Sequence, residues 1–251
     1  LIADANAHCA GGPSTLADPV VTDELRDLAR ISGIPELPRI SIFHALNSRA
    51  VSRSYAARIG RKYEELNLIV AHLGGGISVS AHHYGKVVDV NNALNGEGPF
   101  SPERAGTLPA RQLVDMCFSG KYTYAEIRKM INGRGGLVAH LGTTDVQSII
   151  RWAHAGAEKH KLVLDAMLYT VAKQVGAMHI ALHGQTDAVI LTGGIAFNDY
   201  CIQGLREWLE GLAPIVVIPG EDEMGALAMN ALGVLRGELA LQEYAPETSS
   251  D

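Results

Sequence analysis

The chain has 251 residues, 47% hydrophobic and 19% charged, with a formal net charge of −6. That is long enough for one large or two modest domains with a sizeable core, and it excludes a disordered polypeptide. The acidic balance argues against nucleic acid or an anionic membrane as main partner, yet leaves room for a phosphate ligand at a local positive site.

Cys9, Cys117 and Cys201 are odd in number and form no CxxC pair. A reducing compartment, the cytoplasm, is expected rather than a disulfide scaffold. No apolar run reaches the roughly 18 residues of a membrane span, and no cationic-then-apolar leader is visible. Residues 1–9 read as a helix, and Leu1–His8 reads as the middle of one, with no N-cap before it. The chain is therefore expected to be incomplete at its N-terminus.

Gly11-Gly12-Pro13 ends that helix, and Ser14 to Asp18 make a short strand or loop. Val21 to Ile31 suggest a short helix bounded by Gly33 and Pro35. Residues 42–66 carry apolar positions at roughly helical spacing. Leu68 to Leu73 is a short apolar run without helical period, read as a buried strand. It enters Gly74-Gly75-Gly76, after which Ile77, Val79 and Ala81 alternate with Ser78, Ser80 and His82. Tyr84-Gly85 turns the chain and Lys86 to Val90 resume it, which predicts a β-hairpin.

Residues 91–107 form a polar, Gly/Pro-rich loop long enough to suggest a function. Helices are predicted near 109–118, 123–132 and 157–183. A strand over Asp187–Leu191 leads through Thr192-Gly193-Gly194 into a helix near 197–211. A strand over Ile215–Ile218 and a helix from Glu223 to Arg236 complete the pattern. Strands alternating with helices, with glycines at the turns, give an α/β class.

Six segments carry candidate chemistry, each with an ordinary alternative. In His72-Leu73-Gly74-Gly75-Gly76, glycines let backbone N–H groups approach phosphate oxygens, and His72 adds a donor; a plain tight turn beside a core histidine is the alternative. Thr192-Gly193-Gly194-Ile195 through Asn198 offers a helix N-terminus to a nucleotide, or is an ordinary strand-to-helix turn. Two such turns, one followed by a hairpin, suggest an actin-like ATPase domain. Arg104 could grip a carboxylate or phosphoryl group bidentately, or pair at the surface with Glu97 or Glu103. His44 opens a helix where dipole and imidazole could hold negative charge, or it is a capping or core histidine. Asp18, beside Pro19, could orient a nucleophile or metal-bound water, or sit in a turn. Glu221-Asp222-Glu223 could contact Mg²⁺, or simply suit a helix start.

Together these segments resemble the acetate/butyrate kinase family over about residues 16–238. The resemblance rests on Asn67 to Val79, on Val88 to Leu94 with Gly98 to Arg104, and on Ser119 to Tyr124 with Gly136 to Thr143. It implies a duplicated actin-like, ribonuclease H-like fold closing on ATP, with the first domain incomplete. The domain expectation is residues 1–18 plus 224–251 in an N-terminal domain and 19–223 in a C-terminal nucleotide-binding domain. The implied reaction is reversible phosphorylation of a short-chain fatty acid by Mg-ATP, with butyrate, a branched acid, acetate or propionate as acceptor. A nucleotide-binding remnant without activity is the other reading, because the family's Asn-x-Gly-Ser-Thr-Ser turn and its substrate arginine have no counterpart.

Carried over by motif, Asp18 is the catalytic aspartate, and His44 and Arg104 are the transition-state donors. His72, Leu73, Gly74, Gly75 and Gly76 hold phosphates. Asp145, Val146, Gln147, Gly193, Gly194, Ile195 and Asn198 line the nucleotide, and Glu223 is the magnesium-site acid in a register open by one or two residues. A cytoplasmic homo-oligomer acting on a small carboxylate and ATP, with Mg²⁺ and without nucleic acid or membrane, is expected.

Overall fold

The computed structural model describes residues 26–221 and 223–237. The predicted elements before residue 26, and Asp18 with them, lie outside that range. Helix α1 (Asp27–Arg30) precedes an extended stretch and α2 (Ala45–Arg58). The helical spacing expected through residue 66 is cut at Gly60, whose φ of +70° suits glycine. A 3₁₀ turn over Tyr63–Glu65 then leads to the sheet.

Strand β1 (Asn67–Leu73) is buried along its whole length. It turns through the three glycines into β2 (Ile77–His83), and then through Tyr84-Gly85 into β3 (Lys86–Val90). Tyr84 and Gly85 both have positive φ, 48° and 84°, the pairing that a two-residue hairpin turn of right-handed twist requires. The 91–107 loop follows, then α3 (Ala110–Cys117) and α4 (Tyr124–Ile131), the latter opened by a Thr123–Glu126 capping box.

Two helices were not expected from the sequence. α5 (Leu137–Leu141) is held between Gly136 and Gly142, both at positive φ. α6 (Val146–His154) is capped by the Asp145 carboxylate, which accepts from the Ser148 N–H. Then come α7 (Glu158–Ala181), β4 (Ala188–Thr192), a 3₁₀ turn over Gly194–Phe197, α8 (Asp199–Leu209), β5 (Ile215–Val217) and α9 (Glu223–Leu235). Among the described residues no helix is long and apolar enough to cross a membrane.

The sheet order is β3-β2-β1-β4-β5. β1, β2 and β3 pair antiparallel, while β1, β4 and β5 run parallel. Successive side chains point to opposite faces, and the register aligns the parities. Leu68, Val70 and His72 stand beside His82, Ser80 and Ser78 on one flank and beside Ala188, Ile190 and Thr192 on the other. On this face Leu68, Val70, Ala188 and Ile190 pack with Val51 and Tyr55 of α2. The opposite face carries Ile69, Ala71, Leu73, Ile77, Val79, Ala81, Val189 and Leu191. It packs on α6, α7 and α8 through residues such as Ile149, Leu164, Val171 and Leu205. Burying each such side chain contributes roughly 1.5–3 kcal/mol, so this larger cluster anchors the fold. α9 lies beside α2.

Candidate active site

The site forms where β1 and β4 end. At the tip of β1 the Gly74 N–H bonds the Gly76 carbonyl at 3.1 Å, closing a turn whose outermost residue, Gly75, is exposed. A Cβ on Gly74 would come within 3.1 Å of His72 Nε2, and one on Gly76 would overlap the Arg104 guanidinium. A side chain at Gly76 would displace the Arg104 guanidinium, and one at Gly74 would crowd His72. Across the sheet, a Cβ on Gly193 would lie 2.5 Å from the Leu73 carbonyl oxygen, and Gly193 has φ +87°. Its backbone bridges Gly220 in both directions, at 3.1 and 3.0 Å. Leu73 enters through its backbone, because its side chain is in the core on the far face.

His72 is 1% exposed. Its ring stacks on His44 with centroids 3.7 Å apart and planes 11° from parallel. His44 occupies the N-cap position of α2 as the sequence suggested, but makes no side-chain cap bond. Its Nδ1 instead lies 2.9 Å from Ser78 Oγ on β2. Asn47, one turn along α2, donates its amide to His72 Nδ1 at 2.9 Å and to Thr192 Oγ1 at 3.2 Å. The Thr192 hydroxyl donates to the Gly220 carbonyl at 3.1 Å. His72 Nε2 is 3.6 Å from a Glu221 carboxylate oxygen.

Arg104 reaches this point from the long loop. Its guanidinium donates to the Ala93 carbonyl at 2.9 Å, and its backbone N–H bonds Ser101 Oγ, which donates to the Gly75 carbonyl at 2.6 Å. Of the two acids the sequence offered Arg104, Glu97 and Glu103, Glu97 is held by Arg39, whose guanidinium lies 2.6 Å from it and 3.1 Å from Asp89. Asn91 pins the loop base, accepting from the Val79 N–H at 2.8 Å. Burial first, then Arg104, pushes the His72 pKa down to about 4. His44 is driven well below its ordinary value by burial, then by His72 and Arg104. Both rings are therefore neutral near pH 7, beside a permanent cation.

A cleft of about 430 Å³ opens beside the glycine turn. Its walls bring together Gly74 and Gly75, then Asp145, Val146 and Gln147 at the start of α6, then Gly194, Ile195 and Asn198 after β4. These are distant segments that the sequence grouped by function. The Asp145 carboxyl is held below the usual range by the Ser148 hydroxyl and N–H, so its charge stays at the mouth of α6. Glu103, Pro102, Thr144 and Glu221 complete the lining. Glu223 begins α9; its side chain lies outside what is described, as does Asp18. A second hollow of about 410 Å³, near Arg206, Glu210 and Ile215, sits at the start of β5, away from the glycine turns.

Asn47 was not singled out by sequence reasoning; Ser78 and Thr192 appeared only within motifs, Glu103 only as a surface partner for Arg104, and Glu221 only as one of three neighbouring acids. Strand alternation was the available signal for Ser78 and Thr192, since it places them on the same face as His72.

The profile of the acetokinase family matches residues 39–214, which spans both walls of this cleft. The chain belongs to the acetokinase family. A protein from Phocaeicola vulgatus described as a probable butyrate kinase is 67% identical over 98% of this chain and 70% of its own length. Butyrate kinase 1 of Clostridium acetobutylicum is 50% identical over 97% of this chain and 69% of its own. The chain thus spans about two thirds of the length of these relatives. Acetate kinase of Porphyromonas gingivalis superposes with a TM-score of 0.77 at 23% identity, covering 87% of this chain and 63% of that one. This acetokinase chain has the actin-like ATPase fold, as its sheet order and the superposition agree.

Proposed function

We propose that this chain supplies the nucleotide- and phosphoryl-binding part of a short-chain fatty-acid kinase. The reaction is butyrate plus ATP to butyryl phosphate plus ADP, reversibly. One observation carries the reading: His44, His72 and Arg104, from three separate elements, converge on a glycine turn at the head of a cleft of nucleotide size. The names of the relatives support butyrate over acetate or propionate as acceptor.

In this reading the adenosine side lies along Asp145–Gln147 and Gly194–Asn198, and the phosphates lie over Gly74–Gly76. The acceptor carboxylate attacks the γ-phosphorus in line. A carboxylate O–P bond forms as the bond to the β-phosphate bridging oxygen breaks, and ADP leaves with that electron pair. Arg104 and His44 stabilise charge on the equatorial oxygens, which is the main task in phosphoryl transfer. Asp18 orients the reacting groups. Among the described residues no group of three or more His, Cys, Asp or Glu could hold a metal. Glu223, at the start of α9, is the proposed acid that would help hold Mg²⁺; a carboxylate is a usual ligand for this cation. When bound, Mg²⁺ screens phosphate charge. Residues 19–223 would form the C-terminal domain, with 1–18 and 224–251 in its companion, in a cytoplasmic homo-oligomer.

The test is acyl hydroxamate formation by the full-length protein with ATP, Mg²⁺ and a panel of acetate, propionate, butyrate and isobutyrate. Butyrate or isobutyrate should give the highest kcat/KM. No acyl phosphate from any acid would remove the kinase reading.

A further inference from the structure

His72 is buried and neutral, so what it presents to the cleft depends on which ring nitrogen carries its single proton. The surrounding hydrogen bonds decide this. The Gly220 carbonyl can only accept, and it takes the Thr192 hydroxyl proton at 3.1 Å. Thr192 Oγ1 is then left to accept, and Asn47 Nδ2 donates to it at 3.2 Å. That turns the Asn47 amide so that its other N–H meets His72 Nδ1 at 2.9 Å. Nδ1 accepts, so the proton sits on Nε2. Nε2 is the atom beside the glycine turn, 3.1 Å from where a Gly74 Cβ would stand. The charged or titratable groups facing the ring are His44 stacked on it, Arg104, and Glu221 at 3.6 Å from Nε2.

We propose that Asn47 is a positioning residue: with Thr192 and the Gly220 carbonyl it locks His72 as an Nε2–H donor aimed at the anionic group seated over Gly74–Gly76. The inference rests on the reading of this turn as a phosphoryl site. It adds that α2 contributes to catalysis through an amide that never touches substrate, by setting a tautomer on β1. The chain Gly220–Thr192–Asn47–His72 also ties the donor to the segment after β5, one residue before Glu221. The hydrogen bond made at one ring nitrogen of a histidine sets the state of the other.

Nitrogen-15 NMR of histidine-labelled full-length protein reads the tautomer directly, whether or not the protein turns over. Wild type should show His72 with a bare Nδ1 and a protonated Nε2. Asn47→Asp keeps the shape but replaces the donor by an acceptor, so Nδ1 should become protonated. Acyl phosphate formation in this variant should fall on the order of 10²-fold in kcat, as for loss of one oriented donor, with a smaller change in the KM for ATP. Thr192→Val removes the group that orients the amide and should give mixed tautomers with a fall of roughly tenfold, while thermal melting checks that both variants fold. A wild-type His72 protonated on Nδ1, or an Asn47→Asp protein with unchanged tautomer and kcat, overturns the proposal. If wild type makes no acyl phosphate but shows the expected tautomer and its reversal in Asn47→Asp, the kinase reading fails and the locking of His72 stands.

Discussion

The two faces of the central sheet are made by the same strands and have opposite contents. Toward α7, the strands show Ile69, Ala71, Leu73, Ile77, Val79, Ala81, Val189 and Leu191, all apolar and all within 1% of complete burial. Toward α2, the same strands show His72, Ser78, Ser80, His82 and Thr192 along with aliphatic residues, and α2 adds Asn47, Ser48 and Ser52, all buried. The first face holds the sheet by area removed from water. The second spends part of its burial on polar groups, each of which needs a partner. Period-two alternation lets one strand serve both purposes, and His72 sits at the strand end where the polar face meets the cleft.

If that division holds, changes on the two faces should separate stability from rate. The largest rate effect is expected at Arg104, which arrives over the polar end from the loop. Arg104→Ala should lower kcat by about 10²–10³, equal to roughly 3–4 kcal/mol of lost transition-state stabilisation. ATP affinity should change little. Arg104→Lys should recover little of the rate, because a point charge replaces a bidentate fork. Near-normal turnover in Arg104→Ala, measured in the full-length protein, would take Arg104 out of the mechanism. Leu164→Ala, on the apolar side, should do the reverse. Leu164 is fully buried, and the truncation should cost about 3 kcal/mol in urea unfolding. The folded fraction should keep kcat within a few-fold, and a rate loss as deep as that of Arg104→Ala would contradict the division.

Acid should strike the polar face first. His82 is fully buried with Tyr63 OH 2.5 Å from Nδ1 and Ser80 Oγ 2.8 Å from Nε2. Burial, then Arg49, pushes its pKa down to about 3, and His72 stands at about 4. Both folded values lie below the unfolded one near 6.5. As pH falls below about 6.5 the unfolded chain binds these protons and the folded chain does not, so stability drops. Between pH 6.5 and 5, where most carboxylates stay ionised, the loss should be about 1.6 kcal/mol per histidine. Urea melts across that window measure it. His82→Gln should make the slope shallower by close to one proton, and an unchanged slope would mean His82 is not a source of the acid sensitivity.

The sequence exposed this arrangement unevenly. The β1–β3 hairpin was legible because alternation and the Tyr84-Gly85 turn act locally, and the β4 and β5 strands because glycines bracket short apolar runs. α6 was missed although Val146, Ile149 and Ile150 have helical spacing. Asp145 was read only as a nucleotide contact, so its part as the cap of that helix was overlooked. For Arg104, the sequence offered Glu97, seven residues away, or the adjacent Glu103. The partner that takes Glu97 is Arg39, fifty-eight residues from it. Asn47 escaped notice for the same reason: its partners His72 and Thr192 lie 25 and 145 residues away. Side chains that act through their own segment can be read from spacing, but those that act through a tertiary partner need the register of the sheet.

The smallest expected effect asks whether every polar group on the α2 face takes part in the site or only those at its end. Ser78 and Ser52 are both fully buried hydroxyls on that side. Ser78 Oγ meets His44 Nδ1 at 2.9 Å, whereas Ser52 Oγ donates to the Ser48 carbonyl one turn back along α2 at 2.7 Å. Ser78→Ala removes the partner of a ring nitrogen in a half-buried donor. It should cost about 1 kcal/mol of stability, and because His44 is freed to rotate away from the phosphoryl position, kcat should fall roughly tenfold. Ser52→Ala removes a bond that its helix makes only with itself. The carbonyl keeps its helical partner, so a stability change of about 0.5 kcal/mol and no change in kcat are expected. Paired urea melts and hydroxamate rates on the two variants decide. Equal rates would mean that His44 is held by its stack on His72 rather than by Ser78, and would leave Ser78 with a structural part only.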